Sequence, residues 1–294
     1  MTERSGRRIL ITGGHGQLGL ALQQAFADED VTALGHADLD VTDEDAVLEA
    51  IGDVMPAVVI HAAAWTDTAG CEKDEERATL VNGRGAGFVA EASRDVGAVV
   101  VYISSNEVFD GETGEPYTED AAPNPVNAYG RSKLAGETEV QDATERVYIV
   151  RTSWLYGPGR ESFPEKIVQA AREKRRLQVV TDEIASPTWT VDLAGAIANL
   201  IGHPQYGIYH LTNAGAASRK EWTDEILKNA GLEDTTVEPT TLAEYGGPYK
   251  KPPYSALANK RAAGLAIEMR PWREALVDHF RAASDAEAGS RANG

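Results

Sequence analysis

The segment RRILITGGHGQLGLALQQAF, residues 7–26, constrains this chain more than any other stretch. A β-branched apolar run ends at Thr12 and passes directly into Gly13-Gly14-His15-Gly16-Gln17-Leu18-Gly19, which opens an amphipathic run. That is strand, glycine turn, helix. Gly13 permits the tight turn, Gly16 lets backbone approach a pyrophosphate, and Gly19 lets the helix pack closely on the strand. The pyrophosphate then sits at the helix N-terminus, where free N–H groups point at it. In this context the turn is read as a dinucleotide site.

The segments that follow keep the βαβ rhythm. VTALG is a second strand, DEDAVLEAIGDV a helix and PAVVIHAAA a third strand. Residues 72–95 have helical spacing, with Ala78, Val81, Phe88, Val89 and Ala92 on the apolar side. GAVVVYIS is the fourth strand, NAYGRSKLAGETEVQDA a helix, and RVYIVRTSWLYG a fifth strand running into a loop. Such alternation predicts an α/β fold: a Rossmann-type, doubly wound parallel sheet with right-handed crossovers and helices on both faces. Residues 1–155 are assigned to the dinucleotide-binding domain, with 191–213 returning to it. Residues 156–190 and 214–284 are assigned to a smaller C-terminal substrate-binding lobe, in which TTLAEYGGPYKKPPYSAL loops over a pocket. The polar end, 285–294, is expected to be disordered.

Composition narrows the partners. A net charge of −18 over 294 residues repels nucleic acid and anionic membranes. No apolar run approaches the roughly 20 residues of a membrane helix. The N-terminus enters a strand without a signal-peptide core, so a cytoplasmic location is expected. The single Cys71 excludes an internal disulfide and a cysteine metal cluster, and no other metal-ligand cluster is read. Only 9 of the 28 basic residues are lysine. So acidic a surface suggests a halophilic source, with an ordinary acidic cytosolic enzyme as the alternative.

Two further motifs carry chemistry. Tyr129 and Lys133, in NAYGRSKLAGE, are spaced i, i+4 and share a helix face. An ammonium there can lower the phenol's pKa and bond a nicotinamide ribose, and a phenol so tuned can protonate a carbonyl oxygen. Ser105 ends the fourth strand 24 residues earlier. Ligands of open α/β sheets bind at that edge, so its hydroxyl can bond the same oxygen. The second strand ends Leu34-Gly35-His36, with no acid to favour NAD and no arginine to hold a 2′-phosphate. The cofactor is therefore NADPH or NADH, with a slight lean to NADP or dual use. Asp40-Val41 should lie near the adenine.

These residues resemble the extended short-chain dehydrogenase/reductase superfamily and, within it, the dTDP-4-dehydrorhamnose reductases. The resemblance rests on GGHGQLG, LDVTD, VVIHAAAWTD, ISSNEVFDG, PNPVNAYGRSKLAGE, RTSWLYG, ASPTWTVDLA and RPWREAL. It implies that Gly16, Gln17, Leu18, Asp40, Val41, Ala62, Ala63 and Ala64 line the cofactor. It makes Ser105, Tyr129 and Lys133 the catalytic set. Ser105, Asn106 and Trp154 would touch the substrate, with Trp154 packed on the sugar ring. Lys250 and Lys251 are candidates for a diphosphate contact. The implied reaction is reduction of the C4 ketone of a nucleotide-linked 4-keto-6-deoxy sugar, giving dTDP-L-rhamnose or a close relative. Some members need Mg²⁺ or form dimers; a monomer and a homodimer both stay open here.

The chain departs from that pattern at Asn106-Glu107, where such reductases carry Asp-Tyr and sugar-nucleotide dehydratases carry Asp-Glu. Asn106 cannot supply the proton a dehydratase acid supplies. Glu107 is read as touching substrate or as solvated at the strand end. Trp65 and Tyr254-Ser255 also differ, at the expected pocket wall. His61 is read as a core histidine rather than a catalyst. The alternatives are a sugar-nucleotide epimerase or dehydratase, and a non-catalytic NADP-binding regulatory subunit.

Overall fold

The computed structural model describes residues 6–292, with side chains up to Asp285. The first half runs β1 Arg8–Thr12, α1 Gln17–Ala25, β2 Asp30–Leu34, α2 Glu44–Val54, β3 Val58–His61, α3 Thr68–Lys73, α4 Glu75–Thr79, α5 Gly85–Asp95, β4 Val99–Ser105, α6 Ala128–Ala143 and β5 Val147–Thr152. The second half runs β6 Leu155–Tyr156, α7 Phe163–Lys174, β7 Arg176–Val180, β8 Ile184–Ala185, β9 Thr188–Trp189, α8 Thr190–Leu200, β10 Gly207–His210, β11 Ala217–Ser218, α9 Arg219–Asn229, β12 Thr236–Thr240, α10 Leu242–Tyr245, α11 Lys260–Gly264 and α12 Trp272–Ala292.

Six parallel strands form the central sheet in the order β2-β1-β3-β4-β5-β10. The inner strands β1, β3, β4 and β5 are rich in Val and Ile and buried on both faces, as all-parallel sheets require. Ile9, Leu10, Ile11, Val59 and Ile60 have no exposure at all. Helices α1 and α8 pack together on one face, over Ile9, Ile11, Leu22, Leu193 and Ile197. Helices α2, α5 and α6 cover the other. Chain direction across the sheet reverses between β1 and β3, and the carboxyl ends of those strands flank the crevice in which open α/β sheets bind ligands.

The smaller lobe joins α7, α9 and the β7–β12 pair around Ala171, Leu177 and Leu227. A second cluster of Tyr156, Trp222, Trp272 and Leu276 brings in α12. The segment after α10 joins β8 to the loop that follows β4: Ile184 N–H donates to Pro253 O, Ser255 N–H to Ile184 O, and Tyr117 N–H to Ala256 O, each at 2.8 Å.

Two expectations are corrected. The helical stretch 72–95 is not one helix: Asp74, at φ −142°, breaks it and caps α4 by accepting from Arg77 N–H. A π-helical turn, Leu80–Arg84, then separates α4 from α5. The tail expected to be disordered from residue 285 continues α12 through Ala292; residues 293–294 lie outside the described residues. Among the described residues, no helix is long and apolar enough to cross a membrane.

Candidate active site

The dinucleotide side is built around the β1–α1 turn. Gly13 has φ +68°, and a Cβ there would lie 2.6 Å from Ala63 N. A Cβ on Gly19 would lie 2.4 Å from Gly13 O, so both positions need glycine. Gly16 caps α1 without a side chain, leaving the first-turn N–H groups of Gln17 and Leu18 open to an anion. The Leu18 side chain itself is buried in the core beneath. The Gln17 amide instead donates to Gly157 O at 2.8 Å, tying the turn to the loop after β6. Ala62, Ala63 and Ala64 follow β3 and are half-buried. Val41 packs with Leu34 and Ala63. Asp40 accepts from the N–H and hydroxyl of Thr42, which hold its carboxyl below the usual range.

The tip of β2 is not free of acid. Asp38 folds back to accept from Gly35 N–H at 2.8 Å, 3.7 Å from the His15 imidazole.

On the catalytic side, Ser105 ends β4 and Tyr129 stands in the first turn of α6. The Ser105 hydroxyl neighbours the Tyr129 phenol and acts to lower its pKa, while its own bonds go to Asn106 Oδ1 and from Glu107 N–H. Burial, and next the Glu107 carboxylate, push the phenol well above its usual pKa, so it is protonated. This corrects the expectation that Lys133 lowers it. Lys133 is 1% exposed, with Nζ 4.1 Å from the Tyr102 ring centroid and no hydrogen-bond partner among the described residues. Burial draws its own pKa down to about 7. A buried donor without an acceptor needs one, and a ribose hydroxyl fits that need, so these residues fit a nicotinamide dinucleotide. His61 donates to or accepts from Thr12 Oγ1 at 2.7 Å and stacks on Tyr102; burial lowers its pKa to about 3, which keeps it neutral.

The docking of α6 rests on residues that sequence reasoning missed. A Cβ at Gly130 would lie 2.1 Å from Glu107 O, and one at Gly136 2.1 Å from the Tyr102 hydroxyl. Asn82, in the π-turn, accepts from Trp65 N–H at 2.7 Å and donates to Ser132 Oγ at 2.9 Å. Arg151 on β5 grips Glu137 on α6 with two bonds, at 2.8 and 2.6 Å, and Ser104 Oγ donates to the same carboxylate. Elements β4, β5 and α6 are thereby locked beneath the site.

The substrate side differs from expectation in detail. Asn106 commits its amide to Ser255 Oγ at 2.7 Å and accepts from Ser105 Oγ at 3.3 Å, so it supports Ser105 from behind. Trp154 holds φ +41°, a strained backbone for a non-glycine residue. One face of its ring carries the Arg219 guanidinium, 3.5 Å from the centroid. Arg219 and Lys251 both bind Glu183, at 3.1 and 3.0 Å. An anionic ligand reaching Lys251 therefore competes with an internal carboxylate; Lys250 is exposed. Among the described residues no group of three or more His, Cys, Asp or Glu could hold a metal ion.

The profile of the RmlD substrate binding domain matches residues 7–284. The chain belongs to the RmlD family. It is 40% identical to a dTDP-4-dehydrorhamnose reductase of Streptomyces griseus, covering 94% of this chain and 93% of that one. It is 40% identical to the spore coat polysaccharide biosynthesis protein SpsK of Bacillus subtilis, covering 95% and 99%. The crystal structure of a Bacillus anthracis dTDP-4-dehydrorhamnose reductase in complex with NADP superposes with a TM-score of 0.91 at 36% identity, covering 94% of this chain and 99% of that one. These RmlD relatives match the chain nearly end to end.

Proposed function

We propose that this protein uses NADPH or NADH to reduce the C4 ketone of a nucleotide-linked 4-keto-6-deoxy sugar. The substrate proposed is dTDP-4-dehydro-6-deoxy-L-mannose and the product dTDP-L-rhamnose. One observation supports the reading: Ser105 ends β4, and its hydroxyl neighbours the phenol of Tyr129 in the first turn of α6. The names of the RmlD relatives and the NADP bound to one of them support it.

The nicotinamide, when bound, supplies the hydride. Tyr129 donates its proton to the C4 oxygen as charge develops there, and Ser105 donates a second hydrogen bond to that oxygen. Lys133 Nζ binds the ribose that its buried position leaves it free to meet. Trp154 and the lobe orient the sugar, with Arg219 moving from the indole face as the ring arrives. The enzyme is read as cytoplasmic and adapted to high salt, in keeping with its charge of −18. The epimerase or dehydratase reading is weaker, because the Asn106 amide is tied to Ser255 and is no proton donor.

The test is NADPH and NADH oxidation against a panel of 4-keto-6-deoxy sugar nucleotides, with products identified by NMR. Stoichiometric oxidation and a 4-hydroxy sugar are expected with the dTDP-linked ketone. Turnover without external NAD(P)H, or no oxidation with any ketone, would overturn the reading.

A further inference from the structure

A carboxylate stands where an anionic ligand would be held. Glu183, just before β8, is 6% exposed and has both oxygens bonded. Oε1 accepts from Arg219 at 3.1 Å and Oε2 from Lys251 at 3.0 Å. Arg219 opens α9, and its backbone N–H donates to Glu183 O at 3.0 Å, so the pair is joined through the main chain as well. Burial acts to raise the Glu183 pKa; Arg219 and then Lys251 outweigh it and hold the group below its usual range, as a carboxylate. The two cations are not spent. Their side chains are 18% and 27% exposed. Among the described residues the guanidinium and the ammonium each donate a single hydrogen bond, fewer than either can make.

The cluster borders the catalytic end of β4. Lys250 O accepts at 3.0 Å from the amide of Asn127, which caps the helix that carries Tyr129. Burial and the Asn127 bond aside, the charges that act on the Glu107 carboxyl are Glu183, Lys251 and Arg219, and Glu107 N–H donates to Ser105 Oγ. A nucleotide-linked sugar whose ketone lies at Ser105 and Tyr129 therefore carries its diphosphate towards these cations. We infer that Glu183 is a specificity residue: an internal stand-in for the substrate's diphosphate, which a ligand must displace to gain Arg219 and Lys251. The inference rests on the proposed nucleotide-sugar substrate. Displacement leaves a buried carboxylate without its partners, which is costly. A neutral or weakly charged ligand cannot offset that cost. A doubly charged diphosphate can, by taking the fork of Arg219 and the ammonium of Lys251 together. The carboxylate takes its cations back as the nucleotide-linked product leaves, so binding is weaker than the cations alone would give.

The experiment measures dTDP and thymidine binding by titration calorimetry, with NADPH affinity alongside as the check on folding. Glu183→Gln removes the competing charge and should bind dTDP about fivefold tighter or more, since like charges brought together cost affinity. Thymidine affinity should not move. Glu183→Asp, which keeps the charge, should return dTDP affinity towards the wild-type value, and 1 M KCl should shrink the difference between wild type and Glu183→Gln. Lys251→Met leaves the Glu183–Arg219 pair in place and should weaken dTDP about tenfold, the worth of a hydrogen bond to a charged group; it keeps the inference testable should Glu183→Gln fail to hold NADPH. Equal or weaker dTDP binding in a Glu183→Gln protein that holds NADPH would overturn the inference. So would thymidine tightening as much as dTDP, dTDP affinity untouched by Lys251→Met, or no dTDP binding at all. Ketone reduction with dTDP affinity unmoved would sink the inference and leave the reductase reading standing. Tighter dTDP binding in a protein that reduces no ketone would do the reverse.

Discussion

The amine of Lys133 is buried without a hydrogen-bond partner among the described residues, and burial draws its pKa down to about 7. Its unfolded value is about 10.4, so between those limits the unfolded chain binds more protons than the folded one. Stability at this position is therefore lost as pH falls from 10 towards 7. Lys133→Met removes the penalty while keeping the shape of the chain. Melting of the ligand-free protein should rise at pH 7, by about 2–4 °C for each kcal/mol gained, and should rise less at pH 10. Turnover should collapse. An unchanged or lowered melting point at pH 7 would show that the amine has a partner after all. Its place one helical turn from Tyr129 was legible because i, i+4 spacing is a local property. The state of its proton was not, since that depends on Tyr102 and the closure of α6 over β4.

At the scale of elements, the site is the meeting of β4 with α6, and glycine decides how close they come. Gly130→Ala forces a Cβ to 2.1 Å from Glu107 O. It should cost about 1–3 kcal/mol by overpacking and displace the first turn, so that kcat falls more than cofactor affinity. Gly195 lies in α8 with nothing within 4 Å of its would-be Cβ. Gly195→Ala should therefore stabilise by about 0.5–1 kcal/mol through helix propensity and leave kcat alone. Denaturant unfolding and steady-state kinetics on both variants check this; equal effects would mean that backbone approach is not what fixes Tyr129. The strands and α6 could be read from Val/Ile runs and 3.6-residue spacing. The break at Asp74 could not, because apolar spacing runs on through a residue that leaves helical φ to cap the next helix. Asn82 was equally hidden: its partner Ser132 is 50 residues away.

For the whole molecule, a parallel sheet places every loop that carries chemistry on one edge, which is why fold and cofactor class were legible together. Long-range pairings were not. The Glu183 bridge to Arg219 and Lys251 joins three segments, whereas Lys251 read alone was a candidate for a diphosphate contact. The charge of −18 is also a whole-molecule property. Self-repulsion among exposed carboxylates is screened within a Debye length of about 3 Å at 1 M salt, against about 10 Å at 0.1 M. The melting temperature should climb between low and molar KCl. A flat or falling profile would mean that the acidic surface is not an adaptation to salt.

The central claim is that Ser105 and Tyr129 act on one oxygen atom. Single-turnover hydride transfer from NADPH to the dTDP-4-keto sugar tests it most directly, using wild type, Ser105→Ala, Tyr129→Phe and the double variant, with NADPH binding measured alongside. Each single variant should slow transfer by about 10²–10⁴-fold with cofactor affinity nearly unchanged. The double variant should be scarcely slower than the worse single one, as for groups that work as a unit. Losses that multiply, or a wild-type rate in either single variant, would contradict the account.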